Sequence, residues 1–523
     1  MNREKFLNEV HDRREPFDIV VIGGGATGVG VALDAAVRGL SVLLLEQSDF
    51  GKGTSSRSTK LIHGGVRYLQ QGNISLVRDS LHERSRLQAN APHLVHPLPF
   101  LVPCESLWQR FMMRTGFILY DLLAGKSKFP RAYGASSERA KQIASTIQPR
   151  RVRWGGVVYH DGQFDDARLL IHMAMTAVDH GACVLNAAKV TGLRHDDEGR
   201  VCGVTFEDQQ NGLSRDVEAR CVINATGPFC DAIRRSDDAS AEPIIAPSQG
   251  VHIVLPREFL PDDTAIIVPK TSDGRVLFLI PWHGHVVVGT TDTPIEHATL
   301  EPTAQRDEIE FLLRTAGDYL TRVPSRDDCL SVFVGIRPLV RPPSRGSGTK
   351  GDTKSLSRDH TILVSKTGLI TITGGKWTTV RHMGEDCVDR AVELVGLKAN
   401  GKSTVQLALH GASDAPSDCV YGTDEAFIEQ LIAASPELGR QLHEDLPIRA
   451  AEVVWAVRRE MALTVEDVLA RRTRAMFLNI QAAKSIAPDV ARLMSMELGH
   501  DQAWQDQQLA DFRTTAAHFE LAR

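Results

Sequence analysis

The apolar run Asp18-Ile-Val-Val-Ile22 passes directly into Gly23-Gly-Gly-Ala-Thr-Gly28, and this junction constrains the fold more than any other part of the 523-residue chain. A short β-branched run that ends in glycine reads as a buried parallel strand. Val29 to Arg38 is rich in Ala and Val, is stopped by Gly39, and reads as a helix; Val42-Leu-Leu-Leu-Glu46 reads as a second buried strand. The chain therefore opens with a strand–turn–helix–strand unit and is α/β in class. Gly23, Gly25 and Gly28 have the spacing of a dinucleotide fingerprint. The first permits the tight turn, the second lets a pyrophosphate approach the backbone, and the third lets helix and strand pack closely. The helix N-terminus then turns its positive end towards phosphate. Glu46, 23 residues beyond Gly23, is placed to accept hydrogen bonds from ribose hydroxyls.

Gly346-Ser-Gly348-Thr-Lys-Gly351 meets the same expression without a strand before it or a helical pattern after it. It reads as a chance match inside an exposed Pro/Ser/Gly/Lys-rich loop, 340–358. The fingerprint alone does not separate FAD from NAD. The single credible copy near the N-terminus, and the small-residue turn Asn224-Ala-Thr-Gly227 after a β-rich run, favour FAD.

Beyond residue 180 the pattern changes. Short β-rich runs at Val184–Leu185, Val201–Phe206, Cys221–Asn224, Val251–Leu255, Ala265–Val268, Val276–Ile280 and Val286–Val288 are separated by Gly and Pro, which suggests a mostly antiparallel sheet distinct from the N-terminal unit. Residues 396–422 read as a linker, and the remainder as helices over 424–435, 448–461, 464–478 and 480–498, with Thr464 and Asp467 resembling a capping box. Arg471-Arg-Thr-Arg474 reads as a solvated helix face or as partners of Glu466 and Asp467.

With 60 Lys+Arg against 65 Asp+Glu, the net charge of −5 excludes a polybasic nucleic-acid binder as the default. No uncharged apolar run is long enough to span a bilayer, and the N-terminus is too polar for a secretory signal. The eight cysteines show no C-x-x-C spacing and no zinc pattern, so free thiols in a reducing cytoplasm and no metal are expected. Residues 107–123 (LWQRFMMRTGFILYDLL) are apolar over most of a helical surface, with Arg110, Arg114 and Asp121 in one strip. Two readings stand for them, a buried core helix or a helix lying in a membrane interface with Phe111 and Phe117 facing lipid.

Further segments occur in a telling order: Thr54-Ser-Ser-Arg-Ser-Thr-Lys-Leu-Ile-His-Gly-Gly-Val-Arg-Tyr-Leu69, Asn224-Ala-Thr-Gly-Pro228, Gly250-Val-His-Ile-Val254, Ile280-Pro-Trp282, Gly289-Thr-Thr-Asp292, Gly335-Ile-Arg-Pro338, Ser357-Arg-Asp-His360 and Gly374-Gly-Lys-Trp-Thr-Thr379. Over roughly 17–395 the chain resembles FAD-dependent glycerol-3-phosphate dehydrogenases, of the D-amino-acid-oxidase-like flavoproteins, and its helical tail resembles that family's C-terminal domain. The loop before Arg358 looks longer than the family pattern.

The resemblance implies a Rossmann-like FAD-binding domain (17–75, 160–245 and 355–395), an antiparallel-sheet substrate and membrane-facing domain (76–159 and 246–354) and a C-terminal α-helical domain (401–523). It implies hydride transfer from C2 of glycerol 3-phosphate to FAD, dihydroxyacetone phosphate as product, and membrane quinone as electron acceptor. The expected enzyme is cytoplasmic and peripheral on the inner face of the cytoplasmic membrane, through residues 107–123; homodimerisation stays open. An oxidase using O2, an amino-acid or amine oxidase of the same fold, and a non-catalytic flavin-binding protein are the alternatives.

The implied cofactor contacts are Gly23, Gly25, Gly28, Glu46, Thr54, Ser55, Ser58, Ala225, Thr226, Gly227, Gly374, Gly375, Lys376 and Thr378. A small dianion needs fixed positive charge. Arg337 and Arg358 are the expected phosphate ligands, with Arg67 and Lys376 nearer the substrate hydroxyls and flavin edge. Tyr68 is a further substrate contact or a core aromatic. His252 is the candidate proton acceptor, acting with Arg337 at the reacting centre. His63 is expected near the flavin ring, as packing more than as a base.

Overall fold

The computed structural model describes residues 1–66, 73–125, 127–269, 271, 274–341, 360–413 and 419–521. Two sheets form its frame. In the first the strand order is His360–Val364, Ile370–Gly374, Ser214–Asn224, Phe17–Ile22, Val42–Leu45 and Cys183–Leu185. Every neighbouring pair is parallel except the first. Strands Ala188–His195 and Val201–Asp208 extend Ser214–Asn224 as an antiparallel meander. Phe17–Ile22 is apolar throughout save Asp18 because it lies in the middle of this sheet, under helix Ala26–Val37. That helix packs in turn against helices Asp166–Asp179 and Val380–Val395.

The second sheet runs Thr293–Pro294, Ile245–Pro256, His285–Gly289, Leu277–Trp282, Ala265–Val268, Val95–Pro103, Gly156–Phe164 and Leu61–Ile62, with Ser331–Val340 on Ile245–Pro256 and Tyr133–Ala135 on Gly156–Phe164. It is antiparallel apart from the pairing of Ala265–Val268 with Val95–Pro103. The β-rich runs after residue 180 are all strands, but they do not form one sheet apart from the N-terminal unit: Val184–Leu185 and Cys221–Asn224 pair in parallel with the N-terminal strands and Val201–Phe206 extends that sheet, while the later runs form the second sheet. Leu61–Ile62 and Gly156–Phe164 both belong to the second sheet, so the chain crosses between sheets within the Thr54–Leu69 motif.

The C-terminal part contains helices Glu425–Ala434, Ala450–Glu460, Ile480–Leu498 and Gln502–Ala516, a π-helical turn Asp467–Arg472, and the short helix Ala475–Leu478. The capping box is present: Asp467 N donates to Thr464 Oγ1 (3.1 Å) and Thr464 N donates to Asp467 Oδ2 (3.0 Å). The hairpin Gln441–His443/Leu446–Arg449 was not anticipated. These helices share one apolar core with the second sheet, Met476 and Phe477 packing with Phe100 and Phe333.

The arginine cluster departs from its expected exposure. Arg471, Arg472 and Arg474 are buried. Arg471 does pair with Glu466 (2.7 Å) and Asp467 (2.6 Å), but it also binds Asp49, which accepts two further bonds from Arg472 (2.8 and 2.9 Å). A guanidinium removed from water needs carboxylates wherever the fold can bring them, and Asp49 is too distant in sequence to be seen as a partner.

Helix Leu107–Leu123 combines parts of both readings given for it. Phe117 and Tyr120 are buried, with Phe117 stacked on Tyr159 at 4.3 Å, so Phe117 belongs to the core. The opposite side is bare: Trp108, Phe111 and Leu122 are 68%, 60% and 71% exposed, accompanied by Leu107, Met112, Ile118 and Leu119. Among the described residues no helix is long and apolar enough to cross a membrane. Residues 342–359, with the chance glycine match 346–351, lie outside the described residues.

The tightest contact in the frame is at Gly28, where an added Cβ would lie 1.9 Å from the Gly23 carbonyl oxygen. Gly28→Ala must push helix Ala26–Val37 off the first strand. A loss of about 1–3 kcal/mol is expected, read as a lower thermal unfolding midpoint of the purified protein.

Candidate active site

Strand register brings the sequence candidates together. Ile22 pairs with Asn224 and Leu45, so three parallel strands end at one level, and Asn224 pairs with Thr371 of a fourth that runs on to Gly374. Their carboxyl ends carry Gly23 and Gly25, then Glu46, then Ala225, Thr226 and Gly227, then Gly374, Gly375, Lys376 and Thr378. All of these line one cavity of about 660 Å³, within the usual range for a ligand site. The mouth of a parallel sheet beyond its carboxyl ends is where such folds hold dinucleotides. Gly28 does not line the cavity; it is the packing residue beneath the turn.

The turn is glycine for steric reasons. Gly23 has φ +109°, and a Cβ there would stand 2.8 Å from the Ala225 carbonyl oxygen. Gly25 begins helix Ala26–Val37 without a side-chain cap, so the first helical amides face the cavity. Thr54, Ser55 and Ser58 line the cavity from the loop after the second strand. Ser55 Oγ accepts from Ala26 N (2.8 Å), Ser55 O accepts from Trp377 Nε1 (2.9 Å), and Thr54 Oγ1 donates to Ile336 O (2.6 Å). Glu46 accepts from Gly24 N on one oxygen (2.7 Å) and Ser48 N on the other (2.9 Å). Burial raises its pKa, against those two amide bonds. Each carboxylate oxygen has a second lone pair for a hydroxyl donor. The helix N-terminus with no side chain on its cap residue, the glycine cradle and this acceptor are the set that pyrophosphate and ribose require, and the site fits FAD.

The other wall of the cavity comes from the second sheet. His252 and Arg337 lie on paired strands, in the register Ser248–Arg337 and His252–Phe333. His252 is buried, stacked on Phe333 at 4.7 Å and 9°, with Nε2 2.9 Å from Thr59 Oγ1. Its Nδ1 has no hydrogen-bond partner among the described residues. Burial, then the charges of Lys60 and Arg337, hold the imidazole pKa well below its ordinary value, so the ring is neutral at physiological pH. Arg337 donates from Nη1 to Asp292 Oδ1 (3.2 Å) and Gln249 O (3.4 Å), and from Nη2 to Thr290 Oγ1 (3.1 Å) and Thr291 O (3.1 Å). It crosses Gly250, where a Cβ would meet Nη2 at 2.5 Å. His63 lines the cavity and is tied through its backbone to Thr378 Oγ1. Arg67, Tyr68 and Arg358 lie outside the described residues.

Four residues of the site were not singled out from sequence. Thr59 and Lys60 sit inside the Thr54–Leu69 motif and Asp292 closes the Gly289–Asp292 motif, so the motifs themselves were the available signal. Asp166, which accepts from Ser58 N (3.0 Å), Ser58 Oγ (2.7 Å) and Lys60 Nζ (2.7 Å), had none.

Similarity to known proteins points to the same cofactor. Residues 18–381 match the model of the family described as FAD dependent oxidoreductase, and residues 417–505 that described as the C-terminal domain of alpha-glycerophosphate oxidase. The chain is 44% identical to a probable mitochondrial glycerol-3-phosphate dehydrogenase of Caenorhabditis elegans, covering 96% of this chain and 73% of that one. It is 41% identical to the mitochondrial glycerol-3-phosphate dehydrogenase of Homo sapiens, covering 98% and 74%. Among solved structures, the glycerol-3-phosphate dehydrogenase from Bacillus halodurans complexed with FAD aligns with a TM-score of 0.77 at 27% identity, over 99% of this chain and 97% of that one.

Gly25→Val sets a branched side chain where the phosphates approach backbone, and its first carbon already comes within 3.1 Å of Ser55 Oγ. The purified variant is expected to be folded by circular dichroism and colourless, having lost its FAD. Stoichiometric flavin in that variant contradicts the assignment of this loop.

Proposed function

The chain belongs to the FAD-dependent oxidoreductase family, in the branch of the FAD-dependent glycerol-3-phosphate dehydrogenases, and on that premise we propose that it oxidises sn-glycerol 3-phosphate to dihydroxyacetone phosphate and passes the electrons to a membrane quinone. The observation that carries this reading is the meeting, in one cavity, of a dinucleotide cradle with a neutral buried imidazole and a braced guanidinium. FAD, when bound, supplies the two-electron acceptor for the hydrogen that leaves C2 as hydride. His252 accepts the proton of the C2 hydroxyl as the carbonyl forms. The site holds it in the unprotonated form that this requires.

Arg337, with Arg358, meets the phosphate, while Arg67 and Lys376 serve the substrate hydroxyls and flavin edge and Tyr68 adds a contact. The bonds from Arg337 to Asp292, Thr290 and two backbone carbonyls fix its plane before substrate arrives, so little reorganisation is left for binding. Anaerobic addition of glycerol 3-phosphate is expected to bleach the flavin absorbance, which a non-catalytic flavin protein would not do. Peroxide formed in step with product would replace the quinone by O2.

The bare side of helix Leu107–Leu123 supports peripheral attachment to the inner face of the cytoplasmic membrane. Seven large apolar side chains stand out on one helix face, from Leu107 to Leu122, a concentration that water alone does not favour. Arg110 and Arg114 on the same helix suit the headgroup layer. Because Phe117 is core, the test uses outward positions. Phe111→Glu with Leu122→Glu is expected to release folded, flavin-loaded enzyme from membranes in a flotation assay; continued co-flotation contradicts this face.

Removing one charge-assisted partner from a desolvated pair costs about 2–5 kcal/mol. Arg337→Ala should therefore lower kcat/KM for glycerol 3-phosphate by about 30- to several-thousand-fold at ~1.4 kcal/mol per decade. Flavin content should stay nearly constant, and the feeble rate on unphosphorylated glycerol should fall by a much smaller factor. Equal losses on both substrates would assign Arg337 to the flavin or the fold.

A further inference from the structure

Arg474 is the member of the C-terminal arginine cluster that reaches the loop lining the active-site cavity. Its backbone takes φ +65° ahead of helix Ala475–Leu478, and its side chain is buried. Nη2 donates to Ser56 O (2.9 Å) and to Asp166 Oδ1 (2.9 Å), and Nη1 donates to Ala470 O (2.8 Å). Asp166 Oδ2 holds the other side, accepting from Ser58 N, Ser58 Oγ and Lys60 Nζ. Lys60 Nζ also donates to Ser56 O (2.7 Å). Between Ser58 and Lys60 lies Thr59, whose hydroxyl meets His252 Nε2. A second path runs through rings: Arg474 lies 4.1 Å over Phe477, which packs on Phe333, which stacks on His252.

We propose that Arg474 is a positioning residue for the oxidation: from the C-terminal domain, through Asp166, it fixes the Ser58–Lys60 segment that orients His252 and sets the charge facing it. This rests on the reading of His252 as proton acceptor and of glycerol 3-phosphate as substrate.

The charge argument follows from the groups around Lys60. Asp165 and Asp166 face it from the start of helix Asp166–Asp179, Arg474 from the C-terminal domain, and His252 from the second sheet, with the rings of Trp282, Phe333 and Phe477 closing the space. His283 lies beyond Asp165 (3.0 Å), and Arg337 faces His252 as a second cation. Burial pulls Lys60 down to about 7, against Asp166 and with the help of Arg474. A charged Lys60 opposes a proton on His252. As pH rises through about 7 that opposition lifts, and proton acceptance speeds up. Removing the Arg474 charge leaves Asp166 to Lys60 and raises the lysine pKa.

The test is anaerobic stopped-flow bleaching of the holoenzyme by glycerol 3-phosphate, from about pH 6 to about pH 9. Wild type is expected to show a rising inflection near 7. Arg474→Gln, still flavin-loaded, should move it up by about one unit or more and slow the reaction at neutral pH by about tenfold. Arg474→Lys keeps the charge and should keep the inflection while losing part of the rate. If Arg474→Gln does not fold, Lys60→Met carries the test, and the inflection must vanish.

A readout without turnover accompanies it. Folded Lys60 binds its proton less tightly than an unfolded lysine, so its contribution to stability rises from pH about 7 towards the ordinary lysine range. Lys60→Met must lose that rise in the thermal midpoint. An inflection that is absent from wild type, unmoved in Arg474→Gln or persistent in Lys60→Met overturns the proposal. Wild-type flavin that glycerol 3-phosphate fails to bleach overturns the functional reading instead.

Discussion

At the carboxyl end of the parallel sheet the Ala225 carbonyl oxygen lies 2.8 Å from where a side chain on residue 23 would begin, and the Gly23 carbonyl oxygen 1.9 Å from where one on residue 28 would begin. Three backbone segments thus meet at a distance that only glycine allows. The Gly23 contact brings the Ala225–Gly227 turn beside the fingerprint; the Gly28 contact seats helix Ala26–Val37 against the strand, so that its first amides open on the cavity. Strand register does the rest. With Ile22 level with Asn224 and Leu45, and Asn224 with Thr371, turns more than 300 residues apart become neighbours. Were any of these strands to slip by one residue, its side chains would exchange faces and its turn would leave the cradle.

What could be read in the sequence follows from the range of the forces involved. The βαβ unit, the capping box at Thr464 and Asp467 and the strand runs depend on neighbours within a few residues, and they were legible. The strand-end turns were legible as motifs, and register then placed them in one cavity. Asp166 was invisible because its partners, Lys60 and Arg474, are 106 and 308 residues away. The arginine cluster was half legible: Glu466 and Asp467 are local, Asp49 is not, and three guanidinium groups at one helix end look solvated until a distant carboxylate is supplied. Helix Leu107–Leu123 resisted a single reading for another reason. Both of its sides are apolar, and periodicity cannot say which of two apolar sides meets protein.

The buried ions deserve a physical account, since desolvating a charge pair commonly offsets most of its attraction. Several join segments that the apolar core alone would leave free to slide. Arg168 donates to both oxygens of Glu460 (2.8 Å each), linking helix Asp166–Asp179 to the C-terminal helices. Arg472 grips both oxygens of Asp49. Met476, Phe477 and Phe333 pack without strong directional preference, whereas a two-pronged guanidinium–carboxylate pair tolerates one orientation. On this argument the ions contribute to the uniqueness of the docking more than to its strength.

That uniqueness bears on chemistry because of where the grips fall. Asp49, Lys52, Ser56 and Lys60 all lie in the loop that leaves the second parallel strand and enters the second sheet. Asp49 is held by Arg471 and Arg472, Lys52 by Glu466 (2.7 Å), the Ser56 carbonyl by Arg474, and Lys60 by the Asp166 that Arg474 shares. Four of the residues between these anchors, Thr54, Ser55, Ser58 and Thr59, line the cavity. A loop of this length, left to itself, would carry considerable conformational freedom, and a hydroxyl on it would reach His252 only part of the time. Pinned at both ends and twice between, it behaves as a rigid element of the site, and the C-terminal helices become part of the surface against which the reaction is run.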